Sequence, residues 1–214
     1  MTESDWDDAT DPQPLLQFLR DIGWESERKL RLFCCACCRR VWPALDAGER
    51  EALRVAERHA DGEAGPGSLG LLGRRDPPLS GATFLARGLP REVSHLDLAL
   101  GTASFCATCG ASPAGSYVGE RAAQARLLRC LVGSPFWRAT AGAARPPGEV
   151  YRLALAAYKG RVMPAGTLEA ALFLVLADAL EEAGCDDAVL RAHLRSEGPH
   201  WRGCFALDAV LGKS

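Results

Sequence analysis

Three groups of residues could do chemistry by type and spacing, and each is built on cysteine. The first is Cys34-Cys35-Ala36-Cys37-Cys38, which holds two overlapping C-x-x-C pairs. Residues three apart on a helix share a face, so Cys34 with Cys37, or Cys35 with Cys38, could offer two thiolates to one zinc ion. The second is Phe105-Cys106-Ala107-Thr108-Cys109-Gly110. A glycine directly after such a pair is the form of a zinc knuckle, where the turn aims backbone N–H groups at the sulfurs. Cys35, Cys38, Cys106 and Cys109 together would complete a four-thiolate zinc site, provided that two elements about seventy residues apart meet in space. The third group, and the alternative metal set, is Cys185, His193, His200 and Cys204. His200 and Cys204 lie four apart on an expected last helix, hence on one face, and an αα-hairpin could carry all four donors to one point.

A plainer reading stands beside each group and is the one favoured. Cysteine is a small, well-buried hydrophobe, and Cys34, Cys37 and Cys38 continue the apolar stripe of Phe33 and Val41. Cys185 and Cys204 read as core residues, with His200 near a helix start bonding a neighbouring carbonyl. Elsewhere, His200, Trp201 and Arg202, beside the loop Ser196 to Pro199, form a candidate interaction tip. Its helix-turn-helix outline carries only Arg191, Arg195 and Arg202, diluted by Glu197 and Asp208, so nucleic acid is not the expected partner. Asp178, Glu181 and Glu182 share a helix and could do acid–base work. An acidic helix end facing arginines reads more simply as a salt-bridged surface. No Ser–His–Asp order, Walker loop, G-x-G-x-x-G or H-E-x-x-H is present, so catalysis is not expected.

The elements that must position these residues are helical. Asp11-Pro12 opens a helix through Leu15, Leu16 and Leu19. Ser26 caps a longer segment expected to reach about Leu45, with Leu30, Phe33, Cys34, Cys37 and Val41 at three- and four-residue steps. Asp46 and Glu49 form a capping box for a third helix through Leu53, Val55 and Ala60. From Gly62 to about Pro90, glycine and proline break the periodicity, which predicts an irregular excursion with one helical turn near residues 82–86. Helices are expected again over Val93–Phe105, Tyr117–Leu131, Gly148–Lys159 and Leu168–Ala183, the last capped by Thr167 and stopped by Gly184. A short helix follows from Asp186 or Asp187 through Leu194, and a final one runs from about His200 to Leu211. Alternating β-branched strands are not seen.

Composition agrees with a packed core. The chain has 214 residues, 48% hydrophobic, and Lys+Arg 25 against Asp+Glu 27 leaves a formal charge of −2. Near-neutrality gives no global pull toward nucleic acid or anionic lipid. No apolar run approaches the roughly 18–20 residues that span a bilayer. The N-terminus is acidic where a secretory signal needs a basic start, so the expected compartment is the cytoplasm. In a reducing compartment, nine cysteines are expected as buried thiols or metal ligands and not as a disulfide framework.

Two stretches carry a family resemblance. Lys29-Leu-Arg-Leu-Phe-Cys-Cys-Ala-Cys-Cys-Arg-Arg-Val-Trp42 resembles the N-terminal signature of a large uncharacterised bacterial family. Leu176-Ala-Asp-Ala-Leu-Glu-Glu-Ala-Gly-Cys185, followed by Gly198-Pro-His-Trp-Arg-Gly-Cys-Phe-Ala-Leu-Asp-Ala-Val-Leu-Gly-Lys213, resembles its C-terminal signature. That family occurs in many copies in environmental bacterial genomes, sometimes beside short repeat-companion domains. The likeness covers about half of the chain. The middle departs from it: the Gly/Pro-rich excursion replaces an alanine-rich helix, and Cys106 and Cys109 are outside the pattern. The resemblance implies relatives and no activity.

The expectation is therefore one all-α domain, an irregular bundle with an N-terminal three-helix unit (1–62), the loop segment 63–92, a helical middle (93–146) and a C-terminal helical unit (147–214). Its expected role is a non-catalytic module for an unidentified protein partner. The alternative is a zinc-binding regulatory protein; no other cofactor is expected.

Overall fold

The computed structural model describes residues 1–24, 26–65, 94–110, 112–137 and 147–213. The chain divides into two compact units, Met1–Leu128 and Arg129–Ser214. The protein is all-α, with two strands of two residues each as the only sheet among the described residues. The irregular excursion and its helical turn near 82–86 lie outside the described residues. Among those described, no helix is long and apolar enough to cross a membrane.

In the first unit, a short α1 (Glu3–Asp8) precedes the helix that Asp11 announces. Thr2 and Asp5 close a capping box there, and Trp6 is fully buried. α2 (Pro12–Asp21) follows, with Asp11 accepting the Gln13 N–H and Leu15, Leu16 and Leu19 buried. α3 (Glu27–Arg40) is capped by Ser26 and ends five residues before the expected limit, at a 3-10 turn over Trp42–Ala44. Pro43 explains the stop: it has no N–H to continue the helix and disfavours helical backbone at Trp42. α4 (Ala47–Ala60) carries the expected Asp46/Glu49 box. α5 (His95–Thr108) lies against α2 and α3, and α4 packs on α3.

Long-range ion pairs fix these helices. Arg39 of α3 bonds Glu57 of α4 at 2.7 Å, both nearly sealed from solvent. Arg40 grips Glu120 of α6 (Tyr117–Val132) with two nitrogens, and Ser112 and Gln124 complete the shell around that buried carboxylate. Arg121 closes on Asp11 at 2.7 Å.

The second unit begins within the last turn of α6. It continues through α7 (Gly148–Lys159), β1 (Arg161–Val162), β2 (Thr167–Leu168), α8 (Ala170–Glu182), α9 (Ala188–Leu194) and α10 (Phe205–Leu211). Two expectations fail here. Thr167 is not a cap: Thr167 and Leu168 pair antiparallel with Val162 and Arg161, and α8 starts after Glu169. The last helix does not include His200. Gly198, in the left-handed region at φ +74°, and the Pro199 beside it keep 196–203 extended and turning, so α10 begins only after Cys204. That segment is pinned to β2, with the Leu168 N–H donating to the His200 carbonyl at 2.8 Å and Thr167 bridged to Trp201.

Candidate metal centre

The buried thiols of α3 behave as core. Cys34, Cys35, Cys37, Cys38 and Cys106 are all buried. Burial pushes the Cys34 thiol up to about 12 and those of Cys35 and Cys37 well above the usual range; the hydrogen bond with Cys106, with burial, does the same for Cys38. Burial thus favours the neutral thiol, the form that packs as a small apolar group. Cys109 turns its thiol onto the Cys106 carbonyl at 3.3 Å. The set Cys35, Cys38, Cys106 and Cys109 does not gather around one point. Cys38 and Cys106 hydrogen-bond to one another, whereas the Cys109 thiol is turned back onto its own helix.

A different set does gather. Among the described residues, one group of three or more His, Cys, Asp or Glu donors comes together: Cys130, His193, His200 and Cys204, each offering one ligand atom within 4.8 Å of all the others. Three of these belong to the alternative set, and Cys130 takes the place of Cys185. Cys185 is half-buried and closes the end of α8, its N–H donating to the Leu180 carbonyl. Four separate pieces of the second unit bring the donors. Cys130 sits in the last turn of α6, His193 in the last turn of α9, His200 in the extended segment, and Cys204 at the N-cap of α10.

Two of the donor–donor distances are close to the edges of a tetrahedral site. His193 Nε2 lies 3.2 Å from Cys204 Sγ, and Cys130 Sγ lies 3.8 Å from His200 Nδ1. Metal bonds of about 2.0–2.3 Å to N and S, in a tetrahedron, separate donors by about 3.3–3.8 Å. Coordination therefore needs shifts of only a few tenths of an ångström along these two edges.

Electrostatics favour the ligating state. Burial opposes ionisation of Cys204, but hydrogen bonds from Cys130, His193 and His200 outweigh it and hold the thiol well below its ordinary range. A thiol whose charged form is favoured, beside two imidazoles, is suited to a cation.

The surroundings orient the imidazoles. The His200 ring stacks on buried Phe173 with centroids 4.0 Å apart and planes at 10°, and the His193 ring lies 4.4 Å from that of Phe205. His200 Nε2 faces the Ser196 carbonyl at 3.4 Å, which leaves Nδ1 directed at Cys130. A carbonyl behind a ligating histidine selects the tautomer whose other nitrogen holds the lone pair. Gly198 suits this pose: at φ +74° a Cβ there would stand 3.1 Å from the His200 backbone N and 3.2 Å from Cδ2. Gly133, at φ +76°, lets the Phe205 ring close over the chain, since a Cβ would meet that ring at 2.9 Å.

The expected interaction tip is not exposed. His200 and Trp201 are 1% and 3% accessible, and Arg202 lays its guanidinium over the Tyr158 ring at 5.4 Å. His200 and Trp201 are interior, and Arg202 is half-buried, because the extended segment joins β2 instead of turning outward. Two of the three acidic residues at the end of α8 form ion pairs, and Glu182 forms none with a described residue: Arg195 reaches Asp178 and Glu181, and Arg191 reaches Glu181. That pairing holds the Glu181 carboxyl below its usual range, first through the hydrogen bond from Arg195.

No protein-family model matches the chain, and no curated protein or solved structure does either. The arrangement of Cys130, His193, His200 and Cys204 could hold a metal ion, and it is the feature on which a functional reading can be built.

Proposed function

We propose that the protein is a non-catalytic zinc-binding module in which Cys130, His193, His200 and Cys204 hold one structural zinc ion. The observation that carries this reading is the convergence of two thiols and two imidazoles, three of the four residues almost fully buried, with all four ligand atoms within 4.8 Å of one another. Two sulfurs and two nitrogens in a tetrahedron suit zinc among the divalent ions, whereas carboxylate and carbonyl oxygens would suit magnesium or calcium. Four protein donors leave no open position for water or substrate, the mark of a structural site and not a hydrolytic one. Zinc here would tie the end of α6, the end of α9, the segment 196–203 and the start of α10 into one knot. Binding free energy then becomes folding free energy for the second unit.

The test is cobalt(II) titration of the metal-free protein. The expected result is saturation at one equivalent, with intense tetrahedral d–d absorption and thiolate-to-metal charge transfer that are both lost in Cys130→Ser and Cys204→Ser. A weak octahedral spectrum, or the same spectrum in both variants, would refute the assignment.

A further inference from the structure

The α8 sequence Ala170-Ala-Leu-Phe-Leu-Val-Leu-Ala177 is apolar on every side, yet the structure covers one face only. Phe173, Leu176, Ala177 and Leu180 are buried, whereas Leu174 and Val175 are each 50% exposed. A helix that is hydrophobic all round is ordinarily enclosed, so a half-open one is a surface prepared for another element. Beside it, between the start of α7 and the end of α8, runs a cleft of about 470 Å³. Val150, Leu153, Val175 and Ala179 give it apolar walls, and among the described residues its charged lining is acidic: Glu149, Asp178 and Glu182.

Asp178 is neutralised by Arg195. Glu149 and Glu182 form no ion pair or hydrogen bond with any described residue. Glu182 also sits in the last turn of α8, which has no basic residue, so its charge adds to the negative end of the helix dipole. Among the described residues, Glu149 and Glu182 therefore leave negative charge beside an apolar trough, which a cation riding on an apolar helix would complement.

We propose that this cleft is the docking groove for a basic amphipathic helix of a protein partner. Its apolar side chains would lie on Val175, Leu153 and Ala179, and its lysines or arginines would reach Glu149 and Glu182. This is the helix-in-groove mode, in which apolar anchors give affinity and rim charges give direction. The inference does not rest on the metal reading.

The test uses the full-length protein as purified and a fluorescein-labelled peptide of about 18 residues, leucines on one helical face and lysines on the other, followed by anisotropy. Saturable binding that weakens with salt is expected. Glu149→Gln with Glu182→Gln should weaken it about fivefold or more, and Val175→Ser should weaken it separately. The equal charge change Glu3→Gln with Asp7→Gln, on exposed positions of α1, should leave it within about twofold. Absence of binding, or equal losses in the two double variants, would overturn the proposal. So would a dimer of the free protein that Val175→Asp disperses, because the face would then belong to a second copy. Circular dichroism of each variant shows that the fold is retained.

Discussion

Replacing Gly198 by alanine separates the positioning of His200 from ordinary backbone strain. Gly198 has φ +74°, and an added Cβ meets His200 at 3.1 Å on N and 3.2 Å on Cδ2. Gly184 has a similar φ of +82°, but nothing lies within 4 Å of its would-be Cβ. The left-handed conformation costs an L-residue about 1–2 kcal/mol, partly offset by the reduced freedom of the unfolded chain. Both Gly198→Ala and Gly184→Ala should therefore lose about 1 kcal/mol in urea unfolding of the metal-free protein. Only Gly198→Ala also makes His200 give by a few tenths of an ångström, which shifts its ring relative to Phe173 and the Ser196 carbonyl. The loss of a group that orients a ligating histidine lowers metal affinity about 10–100-fold, and that drop is expected for Gly198→Ala alone. Competition against a chromophoric zinc chelator reads the affinities directly. Wild-type affinity in Gly198→Ala, or equal weakening in both variants, would refute the argument that this loop poises His200 as a ligand.

Two further predictions concern the first unit. Glu120→Gln leaves Arg40 buried without its counter-charge and should destabilise by about 3–5 kcal/mol in urea, the range for breaking a buried pair from one side; a loss under about 1 kcal/mol would show that water reaches the guanidinium. The α3 thiols have folded values raised above the unfolded one, to about 12 for Cys34 against an ordinary 9.0. The folded chain holds those protons while the unfolded chain releases them, so their contribution is complete below about pH 9 and is lost as the pH rises toward the folded value, by about 1.4 kcal/mol per pH unit per thiol. Urea unfolding between about pH 8.5 and 10 should show this decline, shallower in Cys34→Ala; flat stability across the window would contradict it.

The helical class was legible because caps and periodicity agree at several ends: Asp11, Ser26, Asp46 and Asp187 each cap the helix expected after them. Burial of Cys34, Cys37 and Cys38 also followed from their place on the Phe33–Val41 stripe. The strand pair was hidden because two residues per strand carry no alternation. The break at Glu197-Gly198-Pro199 reads as the start of a helix at His200, but Gly198 and Pro199 keep the chain extended up to Cys204. Cys130 was invisible as a donor. It lies among Leu127, Leu128 and Leu131, where a cysteine reads as one more core residue, and 70 residues separate it from His200. Only the meeting of α6 with the C-terminal loop turns it toward the imidazoles.

The most direct test is zinc K-edge absorption fine structure, with metal content, on protein purified without added zinc. One zinc per chain is expected, with two sulfurs at about 2.3 Å and two nitrogens at about 2.0–2.1 Å. An all-sulfur shell would move the ion to the Cys35, Cys38, Cys106 and Cys109 set, and a zinc content below about 0.2 per chain would remove the metal from the account altogether.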